Sequence, residues 1–197
     1  GTTAKIGLFE TKGKLIEVWE IPTRKEEKGR YILPDIADEI EKKMLEKGIF
    51  KSQVEGIGMG VPGPISPDGS VLKCVNLGWG VFSVEQEMTK LTGLKAKAGN
   101  DANVAALGEM WQGGGQGYKN IVMITLGTGV GGGIIIDGHI LPGMDGAAGE
   151  IGHIPMRDDE EESCGCGKKG CLEQYASANG IVRITKRYLK KHSEIDS

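Results

Sequence analysis

Two periodicities organise the apolar positions of this chain. Alternation by twos over Thr3–Phe9 is broken at Lys12-Gly13 and resumes over residues 14–20, which predicts a β-hairpin. Leu33, Ile36, Ala37, Ile40, Met44 and Leu45 then recur at helical spacing. Pro34 suits a first turn and Gly48 suits the stop, so an amphipathic helix is expected between them. Residues 54–61 alternate glycine with Ile57, Met59 and Val61, the pattern of a strand, and end in the turn Pro62-Gly63-Pro64.

Further along, Ser83 with Gln86 three residues later forms a capping-box pattern for a short helix that stops at Gly93. Residues 94–98 read as a strand that delivers Asn100 and Asp101, and the alanine-rich stretch 102–111 reads as a helix. The glycines of residues 113–117 end that helix, and the domain boundary is placed there, between residues 1–113 and 114–197. Residues 120–126 and 131–137 are expected strands, with Asp137-Gly138 as a hairpin turn. The acidic stretch 158–162 is expected to be an exposed loop, and residues 181–191 a last amphipathic helix. The fold class is mixed α/β, without a short-period repeat.

At 197 residues the chain exceeds the ~100–150 typical of one domain and can bury a core without disulfides. Glycine is over-represented, 33 of 197 or about 17% against a usual ~7%, and it clusters at strand ends where backbone must turn or approach closely. A net charge of −3 and a pI near 5.7 argue against nucleic acid held by bulk electrostatics. Lys- and Glu-rich runs such as residues 39–47 read as solvated helix surface. No apolar run approaches the ~18–20 residues of a membrane helix, and no signal peptide opens the chain, so a soluble, cytoplasmic protein is expected. In that setting cysteines favour metal or chemistry over disulfides.

Three constellations carry chemistry. The string Leu126-Gly127-Thr128-Gly129-Val130-Gly131-Gly132-Gly133 lies between two apolar strands. Its glycines would let backbone N–H groups converge on phosphate oxygens, with Thr128 adding a hydroxyl donor. A tight hairpin without a ligand has the same signature, and both readings stand. The second is Asn100-Asp101-Ala102-Asn103, where a carboxylate at a strand end leads into a small-residue helix. By spacing alone, the simpler reading is that Asp101 is the N-cap of that helix. The third joins His153 to Cys164, Cys166 and Cys171, one imidazole and three thiols, the donor set of a tetrahedral structural zinc site. A Cys164–Cys171 disulfide or inert buried thiols are the alternatives, and the convergence of four ligands favours zinc. Cys74 stands apart as a half-buried thiol.

Together the three motifs resemble the ROK family (repressors, open reading frames and sugar kinases), most closely its bacterial glucokinases. The most distinctive mark is the cysteine string ending Cys171-Leu172-Glu173, with Gly149-Glu150-Ile151-Gly152-His153 upstream. Val61-Pro62-Gly63-Pro64 and Asn76-Leu77-Gly78-Trp79 match the family's sugar-side loops. The resemblance implies an actin-like, ribonuclease-H-like fold of two α/β domains around a cleft, the second incomplete here. It implies that Asp101 takes the proton from the sugar 6-hydroxyl as it attacks the γ-phosphorus of ATP, carried with Mg²⁺. Gly63, Asn76, Asn100, Asp101, Glu150, His153 and Glu173 would line the sugar. Thr2, Gly127, Thr128 and Gly129 would contact ATP phosphates, and zinc on His153, Cys164, Cys166 and Cys171 would hold the loop in shape and fix the His153 tautomer. A homodimer is carried over in the same way.

The chain also departs from the family pattern. Gly1-Thr2-Thr3-Ala4-Lys5 matches only the tail of the family's opening Asp-x-Gly-Gly-Thr loop, whose Asp helps to place Mg²⁺, and the sequence stops at Ser197, before the part that should cradle adenine. The sugar site is therefore expected complete and the ATP site partial, with weak or no phosphorylation by this chain alone and exposed sheet edges prone to aggregation. A sugar-sensing repressor of the same family is the alternative function. The Asn100-Asp101 pair and the Gly127-Thr128-Gly129 loop favour the kinase, because a sensor has no chemical need of them. N-acetylmannosamine, fructose and allose are alternative sugars.

Overall fold

Strands β1 (Thr3–Phe9) and β2 (Leu15–Pro22) pair antiparallel from Thr3 opposite Pro22 to Phe9 opposite Leu15 in the computed structural model, which describes residues 3–72, 74, 77–144 and 146–192. The turn between them closes with the Gly13 N–H on the Glu10 carbonyl at 2.8 Å. Segment α1 (Glu26–Gly29) is a turn rather than a helix, because Glu27 and Lys28 have φ of 50° and 60°. Helix α2 (Ile32–Lys47) stops at Gly48, whose φ of 64° lets its N–H reach Leu45 O and the Ile49 N–H reach Met44 O.

Strand β3 (Ile57–Val61) runs parallel to β6 (Ala96–Asn100), with Ile57 opposite Ala96 and Val61 opposite Asn100. Both strands start later than the hydrophobic pattern suggests, because pairing begins only at Ile57 and Ala96. The shift carries Asn100 into the sheet. Between them lie the short antiparallel pair β4 (Ser70–Val71) and β5 (Phe82–Ser83), then α3 (Val84–Thr92). Ser83 caps α3 by accepting the Gln86 N–H at 3.2 Å, as the capping pattern requires. Val71, Val84 and Met88 are fully buried and pack with Ile32, Leu33 and Ala37 of α2 and with Val61 and Ala96 of the strands. Cys74 is not half-buried as read above. It is 2% exposed and belongs to this core, where a small apolar thiol fits.

Helix α4 (Asp101–Gln112) is followed by the antiparallel strands β7 (Ile121–Leu126), β8 (Val130–Ile136) and β9 (His139–Ile140). Asp137 and Gly138 both have positive φ, 51° and 82°, the signature of the tight hairpin turn between β8 and β9. Helices α5 (Glu173–Ala176) and α6 (Ala178–Lys191) close the described chain. Ser177 caps α6 through the Gly180 N–H at 2.9 Å, which starts the helix ahead of its apolar periodicity. By contacts the chain forms two compact units that divide between Asp101 and Ala102, earlier than the boundary read at residue 113. Helix α4 goes with the second unit because it packs on β8. A Cβ on Gly133 would stand 2.7 Å from the Ala106 Cβ, and one on Gly131 3.3 Å from the Ala102 Cβ. Among the described residues, no helix is long and apolar enough to cross a membrane.

Candidate functional site

In the first unit, two of the loops singled out by sequence sit at the carboxyl ends of adjacent parallel strands. Gly63 follows β3 with φ of 96°, a conformation that suits glycine. Asn100 ends β6, and its Nδ2 donates to the Gly63 carbonyl at 3.1 Å. Asp101 follows at once, exposed, as the first residue of α4, where the helix N-terminus favours a carboxylate. Glu85 of α3 secures this strand end by accepting the Ala98 N–H at 3.0 Å while pairing with Lys97 at 2.9 Å. Asn76 and Thr2 lie outside the described residues.

In the second unit, the glycine string does two different jobs. Only Gly127, Thr128 and Gly129 form the turn between β7 and β8, where the Gly127 N–H reaches the Gly129 carbonyl at 3.0 Å. Gly131, Gly132 and Gly133 are strand residues paired with Thr125, Ile124 and Met123. Their small size serves packing. Gly131 and Gly133 admit α4 on one face of β8, and Gly132 admits the backbone of Gly149 on the other.

The turn is tied from behind. The Ala178 N–H, at the start of α6, donates to the Gly127 carbonyl at 2.9 Å, and Glu173 Oε2 accepts the Val130 N–H at 2.9 Å. A Cβ on Gly129 would collide with that same carboxylate oxygen.

His153, Cys164, Cys166 and Cys171 converge, with their ligand atoms all within 4.8 Å of one another. His153 Nδ1 is 3.7 Å from Cys164 Sγ, and Cys166 Sγ is 3.7 Å from Cys171 Sγ. A tetrahedral ion with bonds of about 2.3 Å to sulfur holds its ligand atoms ~3.8 Å apart, so the residues present fit such a metal. The sequence-level alternative of a Cys164–Cys171 bridge is not adopted, since all four cysteines are free thiols. The loop is built by short backbone pairings. Pro155 bridges to Cys171 and Ser163 to Lys169, and the Leu172 N–H meets the Ile154 carbonyl at 3.0 Å.

The sulfurs also show why a cation suits them. Burial raises the Cys164 thiol, and burial followed by the neighbouring Cys166 and Cys164 sulfurs pushes Cys171 up to about 12. For Cys166 burial also pushes upward, but the Lys168 backbone and the Cys171 and Cys164 sulfurs outweigh it and draw the thiol below its ordinary value. Three thiolates this close repel one another unless a metal ion supplies the opposing charge.

The other ring nitrogen of His153, Nε2, faces Glu150 Oε2 at 3.7 Å. Glu173 completes the group, since its Oε1 lies 3.8 Å from Cys164 Sγ. Glu150, His153, Glu173 and the three cysteines therefore meet in one place, with the turn at residues 127–129 reached through Glu173. Sequence reasoning missed Glu160, expected in an exposed loop and found with its side chain 2% exposed. It is buried because Arg183 and Arg187, on one face of α6, and Tyr175 converge on it. The arginines recur at i, i+4, a spacing that could have flagged a shared acidic partner.

The ROK family profile matches residues 1–196. A glucokinase of Halalkalibacterium halodurans is 47% identical over 195 residues, which are 98% of this chain and 59% of that one. The crystal structure of a ROK family glucokinase from Streptomyces griseus in complex with glucose and AMPPNP superposes with a TM-score of 0.77 at 34% identity, over 98% of this chain and 60% of that one. A ROK family transcriptional regulator, a homologue of the E. coli MLC protein, gives a TM-score of 0.82 at 28% identity, over 96% of this chain and 48% of that one. The chain thus spans about three fifths of the length of the glucokinases it matches. Its α/β architecture is the actin-like fold of the ROK sugar kinases. With the Asn100-Asp101 strand end, the glycine turn and the histidine–cysteine cluster in this order along that fold, the chain belongs to the ROK family.

Proposed function

We propose that the protein is an ATP-dependent glucokinase that phosphorylates the 6-hydroxyl of glucose, with Asp101 as general base. The observation that carries this reading is the pairing at the carboxyl ends of β3 and β6. The Asn100 amide is fixed on the Gly63 carbonyl, and the exposed Asp101 carboxylate follows it directly. Phosphoryl transfer asks mainly for positioning and charge stabilisation, and one carboxylate aimed at the attacking hydroxyl supplies the proton acceptor. The 47% identity to a glucokinase across nearly the whole chain supports glucose as the sugar.

In this reading Gly63, Asn76, Asn100, Glu150, His153 and Glu173 serve the sugar hydroxyls, and Thr2 with Gly127, Thr128 and Gly129 serves the phosphates. A buried polyol needs each hydroxyl matched, since an unmatched polar group costs about 1–3 kcal/mol. Zinc on His153 Nδ1 and the three cysteines supplies structural cross-linking and is not part of the chemistry. The chain's own residues then set the aim of His153. With Nδ1 committed to the cysteine side, Nε2 carries the proton and points toward Glu150. Mg²⁺ accompanies ATP and offsets phosphate charge. The reading also places the protein in the cytoplasm as a homodimer.

The test is ATP-dependent formation of glucose 6-phosphate by the full-length protein, with N-acetylmannosamine, fructose and allose as competing sugars. Selective phosphorylation of glucose supports the reading, and preference for another sugar reassigns the substrate. A second reading, a sugar-sensing repressor, has the 0.82 TM-score to the ROK transcriptional regulator in its favour. Sugar binding with operator binding and without phosphoryl transfer would establish it instead.

A further inference from the structure

Glu160 lies in the stretch that connects His153 to the cysteine hairpin and is not one of the four candidate ligands. Its Oε2 accepts Tyr175 Oη at 2.7 Å and Arg183 Nη2 at 3.0 Å, and its Oε1 accepts Arg187 Nη1 at 2.9 Å. The backbone N–H groups of Glu161 and Glu162 close on Oε1 at 3.1 and 3.2 Å. This carboxylate is saturated with donors and removed from water, so it fixes the distance between its loop and α6.

The same Arg183 does more than neutralise it. Its Nη2 also donates to the Gln174 carbonyl at 2.9 Å, and its Nη1 reaches Glu162 Oε2 at 3.2 Å. Gln174 is buried, with its Oε1 accepting the Cys171 N–H at 3.0 Å and its Nε2 donating to the Glu162 carbonyl at 2.9 Å. Arg183 and Gln174 thereby join the backbone of Cys171 to residues 160–162, which lead through Ser163 into Cys164. An apolar contact could bury the same surface, but it would not hold these two cysteine-bearing segments at one spacing.

We propose that Glu160, with Arg183 and Gln174, is a positioning cluster that sets the spacing of Cys164 and Cys171 and so tunes the affinity of the histidine–cysteine site for its metal. The inference rests on reading that site as a metal site. Outer partners of metal ligands commonly govern affinity because they fix how the ligands are aimed.

The test is the zinc affinity of the full chain, measured by competition with a chromophoric chelator, together with the cobalt(II) absorption of the same proteins. Glu160→Gln keeps all four ligands, and it is expected to weaken zinc binding about 10–100-fold and to alter the cobalt spectrum. Arg187→Ala removes an outer contact and leaves Arg183 in place, and it is expected to change affinity by less than about threefold. If Glu160→Gln does not fold without metal, Arg183→Lys takes its place, since lysine keeps the charge but cannot span Glu160, Gln174 and Glu162 together. Wild-type zinc affinity and cobalt spectrum in these variants, with only a lower melting temperature, would make the cluster a structural brace and overturn the proposal. No zinc binding by the wild-type chain would overturn the metal reading itself, and the proposal with it.

Discussion

The Glu173 carboxylate holds the Val130 N–H at 2.9 Å, directly behind the Gly127-Thr128-Gly129 turn. Its second oxygen lies 3.8 Å from Cys164 Sγ, so one side chain touches both the cysteine cluster and the glycine turn. Glu173→Ala leaves the Val130 donor without this partner. A hydrogen bond to a charged group contributes about 1.5–3 kcal/mol, and an open turn loses part of its preorganisation. Affinity for AMPPNP is expected to fall roughly tenfold in calorimetric titrations of the full-length protein. Unchanged nucleotide affinity would confine Glu173 to the sugar side.

Asp101→Asn tests the general base. Turnover in the full-length protein is expected to fall about 10²–10⁴-fold, while glucose affinity stays within about tenfold, because the amide keeps the shape and loses only the proton acceptor. Steady-state kinetics beside direct binding separates the two effects. Surviving turnover would remove Asp101 from that role.

Cys166→Ser tests the link between metal and sugar. Zinc affinity is expected to drop more than ~100-fold, and glucose affinity to weaken through the loss of a fixed His153. Zinc content and glucose titration on one sample are sufficient. Glucose affinity that persists after zinc is lost would break the link.

Acid should loosen α6 from the cysteine loop. Arg183 first, then Tyr175, holds the Glu160 carboxyl far below its usual value of 4.5. The folded state thus binds this proton less readily than the unfolded chain. The stabilisation is complete above the ordinary carboxylate range and fades as pH falls below about 4.5 toward the lower folded value. In metal-free protein, urea midpoints of the wild type should decline through this window. Glu160→Gln should lack that component and be less stable at pH 7 by on the order of 3 kcal/mol. Parallel pH profiles for the two proteins would contradict the assignment.

Gly133→Ala probes packing. Its new Cβ would lie 2.7 Å from the Ala106 Cβ and 2.9 Å from the Ala102 carbonyl oxygen, so α4 must shift away from β8. A loss of about 1–3 kcal/mol in urea unfolding is expected. Gly138→Ala, whose Cβ meets nothing within 4 Å, isolates the cost of the turn's positive φ of 82° instead.

Sequence alone determined what depends on neighbours along the chain. The hairpin β1–β2, the stop of α2 at Gly48, the cap of α3 at Ser83 and the Asp137-Gly138 turn follow from local periodicity and from residues suited to particular backbone angles. The histidine–cysteine set was legible too, because few other donor sets need one imidazole and three thiols with glycines between them. The tertiary structure decided what depends on partners far along the chain. It divided the glycine string into a turn and a packing surface, buried Cys74 in the first core, and drew Glu160 out of an acidic stretch that looked solvated. It also set Glu173 between the turn and the cysteines. A glycine in a turn and a glycine beneath a helix look the same in sequence, as do an exposed carboxylate and one neutralised by a distant arginine. Only the folded chain supplies the atom on the other side.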